Sequence, residues 1–330
     1  RLPLQDDQAQ SHDTAHDNLY LSPREGEQLS IPYFDAHCDT LTAVYEHGGG
    51  LFENPYMVDL RRLGAYAPCA QVFAGWNGGF EAKAALLRRE CGRYADIAVL
   101  CRSPQEVRSA NAAGKIAALL SVEGAEELGC SLSCLREARE EYGVVMLNLC
   151  WNSNNALCGA AMDSGSGLTE RGRGYVRECQ RLGVAVDMSH ASERTFWDAL
   201  EIAQKPLIAS HSNSAALCSD FPRNLTDAQF DALARSGGGA GINLCPDFLA
   251  SGGAGVDDAV RHVEHFLALG GEGSVFIGAD FDGIDSTPRG IGGAQDMGVL
   301  YEALLRLNYP EELVARIFYG NLLDILERTQ

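Results

Sequence analysis

Histidine and carboxylate residues recur in this sequence at the ends of short apolar segments. His37 and Asp39 flank a cysteine, Glu123 follows a run of alanines and leucines, and His190 and His211 each close an apolar segment. Neutral imidazole and carboxylate together form a ligand set that suits Zn²⁺. These residue types therefore point to metal-assisted hydrolysis, provided that the fold brings the five side chains together.

The spacing within His37–Cys38–Asp39 has a simple geometric meaning. Residues i and i+2 of a strand face the same side, so His37 and Asp39 can bind one metal while Cys38 faces away. A lone pair of this kind is equally well explained by a hydrogen bond between its side chains. His190 and His211, taken singly, fit core or helix-capping histidines as well. The shared position at segment ends favours the metal interpretation.

Two acidic residues would need a positive partner if the fold buries them. A metal ion supplies that charge, and the carboxylate of Glu123 can bridge two ions. Asp280 closes the last apolar segment, in the sequence GADFDG. Near a metal-bound water, Asp280 can take a proton and return it to a leaving group.

Eight apolar segments predict the strands that must position these residues. Near-continuous apolar strands that alternate with helices indicate a parallel sheet buried on both faces. Eight such units in about 300 residues predict an α/β fold of the (β/α)₈ TIM-barrel type, whose active-site face lies at the C-terminal ends of the strands. An open doubly wound sheet is the alternative, although no G-x-G-x-x-G motif follows the first strand. The segments are 31–37, 67–76, 115–124, 144–151, 184–190, 206–211, 238–245 and 274–280.

The intervening segments carry helical periodicity. Helices are predicted over 80–100, 192–203, 225–237 and 256–271. Ser192 and Thr226 are the expected N-caps of the second and third of these helices, and Gln229 completes a capping box with Thr226.

Residues 1–30 differ in composition from the remainder of the chain. They are polar and acidic and show no periodicity, which predicts a polar N-terminal arm or an expression remnant. Residues 31–330 are predicted to form a single catalytic domain.

Composition excludes several classes of partner. The 330 residues include 26 basic and 45 acidic side chains, for a net charge of -19. Such a surface repels nucleic acid and anionic lipid, and no apolar stretch reaches the roughly 18 residues of a membrane span. The 11 cysteines form no C-x-x-C pair. They predict reduced core thiols in a cytoplasmic protein, although the start at Arg1 leaves room for a leader that was removed.

Several motifs together resemble the membrane dipeptidase (renal dipeptidase) family of zinc peptidases, with the bacterial members as the nearer match. The motifs occur in family order and are FDAHCDTL, LLSVEGAE, GLTERGRGYV, VDMSHAS, IASHSNSAAL with PRNLTD, and GADFDGI. This resemblance implies a (β/α)₈ barrel that holds two zinc ions and hydrolyses dipeptides, and it suggests a homodimer. By position, it implies that His37 and Asp39 bind one zinc, that His190 and His211 bind the second, and that Glu123 bridges both.

The resemblance also assigns residues to the substrate. Arg223, in the loop after the sixth predicted strand, would hold the C-terminal carboxylate of a dipeptide, and Asp280 would be the acid/base. Taken alone, Arg223 fits a surface arginine or a local salt bridge somewhat better than a two-pronged donor to a substrate carboxylate. Animal enzymes of the family carry a substrate-contacting histidine where this chain has Trp151. Because tryptophan cannot carry a proton, oxyanion stabilisation would depend more on zinc, helped by the indole N–H of Trp151 or by Asn152.

The expected function is therefore that of a binuclear zinc dipeptidase acting on dipeptides with a free C-terminal carboxylate, C-terminal D-residues included. One alternative is another metal-dependent amide or lactone hydrolase on the same barrel. Such enzymes typically show H-x-H after the first strand and a carboxylated lysine, neither of which is expected here. A second alternative is a metal-containing binding protein without turnover, which the presence of Asp280 argues against.

Overall fold

Parallel strands form the centre of the fold, and the computed structural model describes residues 31–330. The predicted N-terminal arm, residues 1–30, lies outside the described residues. Within the described range the strands are β1 (Tyr33–Cys38), β2 (Cys69–Gly75), β3 (Ala98–Leu100), β4 (Ile116–Val122), β5 (Met146–Asn148), β6 (Ala185–Asp187), β7 (Ile208–Ala209), β8 (Gly239–Ile242) and β9 (Val275–Ile277).

Eight of these strands close into a barrel. Their circular order is β1, β2, β4, β5, β6, β7, β8 and β9, with β9 returning to β1 and with β2 pairing directly with β4. Each barrel strand corresponds to one of the eight predicted apolar segments. Every residue of β1, β2 and β4 is buried, as expected for parallel strands covered on both faces. The predicted (β/α)₈ architecture is confirmed.

The prediction of one helix over 80–100 is wrong in its last third. The helix ends at Arg93, and Ala98–Leu100 form β3, which pairs in parallel with Ile116–Ala118 at the start of β4. β5 occupies the same side of β4 further along, from Ser121 onward. The short strand therefore fills an edge of β4 that β5 leaves unpaired, a long-range effect that local periodicity does not reveal.

Helices surround the barrel and connect its strands. Ser192 and Thr226 are N-caps as predicted, and Thr226 forms the capping box with Gln229. The helices are α1 (Thr40–His47), α2 (Leu60–Leu63), α3 (Phe80–Arg93), α4 (Pro104–Ala112), α5 (Leu132–Glu137), α6 (Glu170–Leu182), α7 (Glu193–Ile202), α8 (Asp227–Arg235), α9 (Pro246–Leu249), α10 (Val256–Ala268), α11 (Met297–Arg306), α12 (Glu311–Ala315) and α13 (Asn321–Thr329).

Apolar packing between strands and helices holds the barrel wall in place. Leu322 and Leu326 of α13 and Val107 of α4 share one buried cluster with Phe34 of β1 and Leu119 of β4. Burying side chains of this size stabilises the folded chain by roughly 1.5–3 kcal/mol each, so the strand ends rest on a rigid support. No helix in residues 31–330 has the length and apolar character needed to span a bilayer.

Candidate metal centre

The C-terminal ends of the barrel strands bring the five predicted ligands together. His37 belongs to β1, and Asp39 is the residue between β1 and α1. Glu123 directly follows β4, while His190 and His211 stand in the turns after β6 and β7. All five side chains are buried, with exposed fractions between 0% and 6%. A buried group of two carboxylates and three imidazoles is a donor set that could hold metal ions.

Glu123 occupies the middle of this group, and its two oxygens face different histidines. Oε2 lies 3.6 Å from Nε2 of His37, whereas Oε1 lies 2.8 Å from Nε2 of His190 and 3.8 Å from Nε2 of His211. Burial would raise the pKa of Glu123, but the charge on His37 and the hydrogen bond with His190 hold it below its ordinary value. The carboxylate is therefore ionised and placed between two sets of ligands.

His37 provides a test of whether the residues fit a metal ion. Its side chain is fully buried, and neither ring nitrogen has a hydrogen-bond partner within residues 31–330. Nε2 lies 3.6 Å from Oδ2 of Asp39 and 3.8 Å from Oδ1 of Asp280. Ligand atoms on a tetrahedral zinc with bonds of about 2.1 Å stand ~3.4 Å apart, close to these separations. The donor set therefore fits a metal ion, which would satisfy a nitrogen that is otherwise costly to bury.

Neighbouring side chains orient the other two histidines. Their Nε2 atoms face each other at 2.9 Å. Nδ1 of His190 is 2.9 Å from Oδ1 of Asn152, and Nδ1 of His211 is 2.6 Å from Oγ of Ser210. An Nδ1–H donated to such an oxygen leaves the Nε2 lone pair free to bind a metal.

Asp187 lies behind these histidines and fixes the backbone that carries them. Its Oδ1 accepts hydrogen bonds from the backbone N–H groups of Ser189 and Ser210, both at 2.9 Å. Oγ of Ser189 in turn accepts from the backbone N–H of His211 at 3.0 Å. The two turns after β6 and β7 are thereby tied to one buried carboxylate.

The pKa values of the histidines divide them into two kinds. Burial lowers the pKa of His190 to about 4 and that of His211 well below its ordinary value, so both are neutral at pH 7. Burial would lower the pKa of His37 as well, but the carboxylates of Glu123 and Asp39 raise it well above its ordinary value. The carboxylates around His37 therefore stabilise positive charge at this position, which a metal ion would supply.

Asp280 stands beside the ligands and is held by a residue that sequence reasoning missed. Its Oδ2 accepts a hydrogen bond of 2.9 Å from Nδ2 of Asn243, which directly follows β8. Burial raises the pKa of Asp280 to about 6, against the lowering effect of His37. Asn243 directly follows a barrel strand, as the predicted ligands do. The expectation that polar residues at the C-terminal ends of the strands form the site therefore applies to Asn243 as well.

Backbone conformations at this rim are unusual for residues other than glycine. His190 has φ 72° and Asp280 has φ 63°, both in the left-handed region. Such conformations cost about 1–3 kcal/mol and cluster at functional sites. Gly283 passes close to the same group, because a Cβ there would collide with Oδ2 of Asp39 and stand 2.7 Å from Oδ1 of Asp280. A side chain at position 283 would therefore displace the carboxylates of Asp39 and Asp280.

Arg223 reaches the site from the loop between β7 and α8. Only 5% of the residue is exposed, and one guanidinium nitrogen lies 3.1 Å from Nε2 of His190. The guanidinium carbon lies 5.6 Å from the ring centre of Phe248. The side chain is thus buried beside the candidate metal ligands and is not a surface arginine.

Trp151 and Asn152 lie on the other side of His190. Trp151 is 36% exposed and stacks on Trp76, with ring centroids 4.9 Å apart. Asn152 contacts Nδ1 of His190 and so supports a ligand, while it also borders the cavity. Trp76 was not identified as a site residue from the sequence, because a tryptophan at the end of an apolar segment is equally typical of the hydrophobic core.

A cavity of about 260 Å³ opens onto this group of residues. This volume is somewhat below the roughly 300–1,000 Å³ of sites for drug-sized ligands, so it suits a small substrate. Of the nine predicted site residues, His37 and His211 are buried against the others. The remaining seven line the cavity, and they are Asp39, Glu123, Trp151, Asn152, His190, Arg223 and Asp280.

Comparison with known proteins places this arrangement in a family. The family described as membrane dipeptidase (Peptidase family M19) matches residues 29–330. A protein described as an uncharacterized dipeptidase from Schizosaccharomyces pombe is 34% identical over 229 residues, which cover 66% of this chain and 54% of that protein. The chain therefore matches about half the length of that relative.

Two solved structures share the fold over almost the whole chain. A metallo peptidase from Rhodobacter sphaeroides, liganded with a phosphinate mimic of the dipeptide L-Ala-D-Ala, is 28% identical with a TM-score of 0.80, and the match covers 92% of this chain and 100% of that chain. A second, described as dipeptidase AC, a metallo peptidase of family M19, is 30% identical with a TM-score of 0.81, and covers 91% of this chain and 99% of that chain. The resemblance drawn from the sequence motifs is confirmed. Because the family model matches residues 29–330, almost the whole chain, this chain belongs to the membrane dipeptidase family, Peptidase family M19.

Proposed function

We propose that this protein is a binuclear zinc dipeptidase. It would hydrolyse dipeptides with a free C-terminal carboxylate, including those with a C-terminal D-residue. The observation that carries the proposal is the position of Glu123, whose two oxygens face His37 on one side and His190 with His211 on the other. One carboxylate between two sets of donors is suited to bridging two metal ions.

The two ions would polarise the peptide carbonyl and lower the pKa of an attacking water. The other chemical tasks fall to residues of the chain. Asp280 borders the cavity next to His37, and its second oxygen is fixed by Asn243. Asp280 can therefore accept a proton from the water and deliver it to the leaving amine.

The position of Arg223 supports the proposal that substrates need a free C-terminal carboxylate. Its guanidinium is buried at the cavity and lies next to His190. The acidic groups lining the cavity include Asp39, Glu123 and Asp280, whereas Arg223 is the one cationic side chain among the described residues that line it. A guanidinium binds a carboxylate through two parallel hydrogen bonds, so it would fix the C-terminal end of a dipeptide.

A relative supports the proposal that dipeptides with a C-terminal D-residue are substrates. The Rhodobacter sphaeroides metallo peptidase, 28% identical to this chain, was solved with a mimic of L-Ala-D-Ala.

A direct test of the proposed function measures hydrolysis of L-Ala-L-Ala and L-Ala-D-Ala with and without a chelator, beside a lactone and an N-acyl amino acid. We expect chelator-sensitive hydrolysis of both dipeptides. Faster turnover of the lactone or the N-acyl amino acid, or no turnover of any compound, would contradict the proposal.

Replacing Arg223 with alanine should reduce activity without removing metal. Loss of one partner of a buried ion pair costs roughly 3–5 kcal/mol, so kcat/KM on dipeptides should fall by about 10²–10⁴-fold. The preference for a free acid over the corresponding C-terminal amide should disappear. The measurement is kcat/KM on matched acid and amide substrates, together with bound metal.

Arg235→Ala is the matched control for this variant. Arg235 is an exposed arginine of α8 that pairs with Asp231. The Arg235→Ala variant should keep the kcat/KM values of both the acid and the amide substrate, because a salt bridge between exposed side chains contributes little to stability. If Arg223→Ala reduced the acid and amide rates equally, Arg223 would be a structural residue and not the carboxylate ligand.

A further inference from the structure

Two tryptophans form one wall of the cavity. Trp76 directly follows β2, and Trp151 lies in the turn after β5. Their rings are stacked, with centroids 4.9 Å apart and planes inclined by 28°. Both residues line the cavity, and Trp151 is 36% exposed. We call Trp76 and Trp151 the tryptophan wall.

A buried lysine fixes the loop that carries Trp76. Lys83 of α3 is fully buried, and its ammonium donates hydrogen bonds to the backbone carbonyls of Trp76 and Gly78. The backbone N–H of Gly78 donates to both carboxylate oxygens of Glu127, at 2.8 and 2.9 Å. A buried ammonium is stable only when its hydrogen bonds are made, so these contacts hold the loop in one conformation. Trp76 is therefore in place before a substrate arrives.

The barrel topology sets Trp76 across the barrel from the loop of Arg223, while Trp151 follows β5, midway between β2 and β7 in the strand order. In the circular order of the eight barrel strands, β2 and β7 are four positions apart, which places them across the barrel from each other. Arg223 belongs to the loop after β7, next to His190, whose ring centre lies 6.4 Å from that of Trp151. A dipeptide held at Arg223 by its carboxylate would extend past Glu123 towards the tryptophan wall. Its N-terminal residue is the part that reaches the wall.

The remaining lining favours an apolar group at this position. Two exposed carboxylates, Asp247 and Asp285, also border the cavity, and indole faces attract cations. However, the wall itself consists of two indole rings, and the apolar side chains of Met162 and Ile284 also line the cavity. Phe221 and Phe248 line it too, and they pack together with Phe248 beside Arg223.

We propose that the tryptophan wall binds the side chain of the substrate's N-terminal residue and selects a large apolar one, either aromatic or branched aliphatic. The inference rests on the proposed dipeptidase function, because it takes the carboxylate end of the substrate to lie at Arg223. Flat indole faces gain both buried apolar area and favourable ring stacking with such a side chain. Trp151 then determines which substrate binds, a role that needs no proton transfer.

The test compares dipeptides that share a C-terminal alanine and differ only at the N-terminal residue. The series is Gly-Ala, Ala-Ala, Leu-Ala, Phe-Ala and Lys-Ala. We expect kcat/KM to rise with apolar size, with Phe-Ala exceeding Ala-Ala by roughly tenfold or more. A ratio near one, or Lys-Ala as the best substrate, would overturn the proposal.

Variants of the tryptophan wall test whether it causes the preference for Phe-Ala over Ala-Ala. Trp76→Ala should bring the Phe-Ala to Ala-Ala ratio close to one, and Trp76→Phe should restore most of it. Lys83→Met should lower the ratio by releasing the loop. The ratio is independent of the fraction of folded enzyme, so mere destabilisation does not change it. Trp197→Ala is the control for loss of an indole elsewhere, because Trp197 lies on α7 and does not line this cavity, so the ratio should stay unchanged. An unchanged ratio in Trp76→Ala would overturn the assignment.

A binding measurement separates this inference from the dipeptidase proposal. The chain has three tryptophans, so Trp197→Phe leaves the wall as the only source of tryptophan fluorescence. Titration of the metal-loaded variant with non-hydrolysable phosphinate mimics of Phe-Ala and Ala-Ala reports their affinities. We expect a fluorescence change with both mimics and roughly tenfold tighter binding of the Phe-Ala mimic.

The two failures then look different. Absence of hydrolysis together with tighter binding of the Phe-Ala mimic would contradict the dipeptidase proposal and support the tryptophan wall. Hydrolysis of dipeptides with equal affinity for the two mimics would leave the dipeptidase proposal in place and overturn the wall.

Discussion

An Asp280→Asn variant is expected to lose at least about 100-fold in kcat while it folds and keeps its metal, because acid/base groups contribute roughly 10²–10⁴-fold. Asparagine has nearly the shape of aspartate but cannot accept and return a proton. Asp280 is buried, borders the cavity and lies 3.8 Å from Nε2 of His37. Its pKa, raised to about 6 by burial, suits a group that exchanges protons near neutral pH.

The measurements are kcat on a dipeptide, bound metal and thermal stability, with Asp96→Asn as the control. Asp96 is an exposed aspartate between α3 and β3, on the N-terminal side of the strands and away from their C-terminal ends, and its replacement should change none of the three. Added zinc distinguishes the competing explanation that Asp280 only holds the ligands in place. If zinc in excess restored kcat to the Asp280→Asn variant, Asp280 would not be the acid/base.

A Glu123→Gln variant is expected to lose metal and activity together. The substitution removes the negative charge between His37, His190 and His211 and leaves an amide, which is a poor bridging ligand. Loss of a group that only supports a ligand typically costs 10–100-fold in metal affinity or activity, so loss of a bridging ligand should cost about 100-fold or more.

Metal content and kcat/KM at several zinc concentrations measure both effects. Glu170→Gln is the matched control, because the side chain of Glu170 is 95% exposed on α6. A Glu123→Gln protein that retained two ions and near-normal turnover would show that Glu123 does not bridge the metals.

Much of the barrel could be predicted because the strands are apolar on both faces. Segments such as 115–124 and 144–151 stand out as short apolar runs between amphipathic helices. β3 could not be predicted, since its residues 98–100 extend the apolar pattern of α3 without a glycine or proline between them. Only the vacant edge of β4 in the folded chain makes that segment a strand.

The ligands could be predicted because a barrel collects the C-terminal ends of its strands at one face. That rule places His37, Glu123 and His190 together although they are far apart in sequence. Arg223 is different: its loop position carries no such signal, and the resemblance to known peptidases was needed to favour a substrate-binding role over a surface arginine. The pairing of Trp76 with Trp151 depends on the conformations of their loops. The hydrogen bonds from Lys83 to the carbonyls of Trp76 and Gly78 fix one of these loops, and sequence periodicity does not reveal such contacts.

The most direct test adds Zn²⁺ stepwise to metal-free protein while bound metal and hydrolysis of L-Ala-D-Ala are measured in parallel. Five strand-end ligands, of which the carboxylate of Glu123 is the proposed bridge, are more than a single tetrahedral ion with an open position can use. We predict no hydrolysis without metal and a plateau of activity at two ions per chain. Full activity at one ion per chain, or hydrolysis that persists without metal, would contradict the binuclear centre.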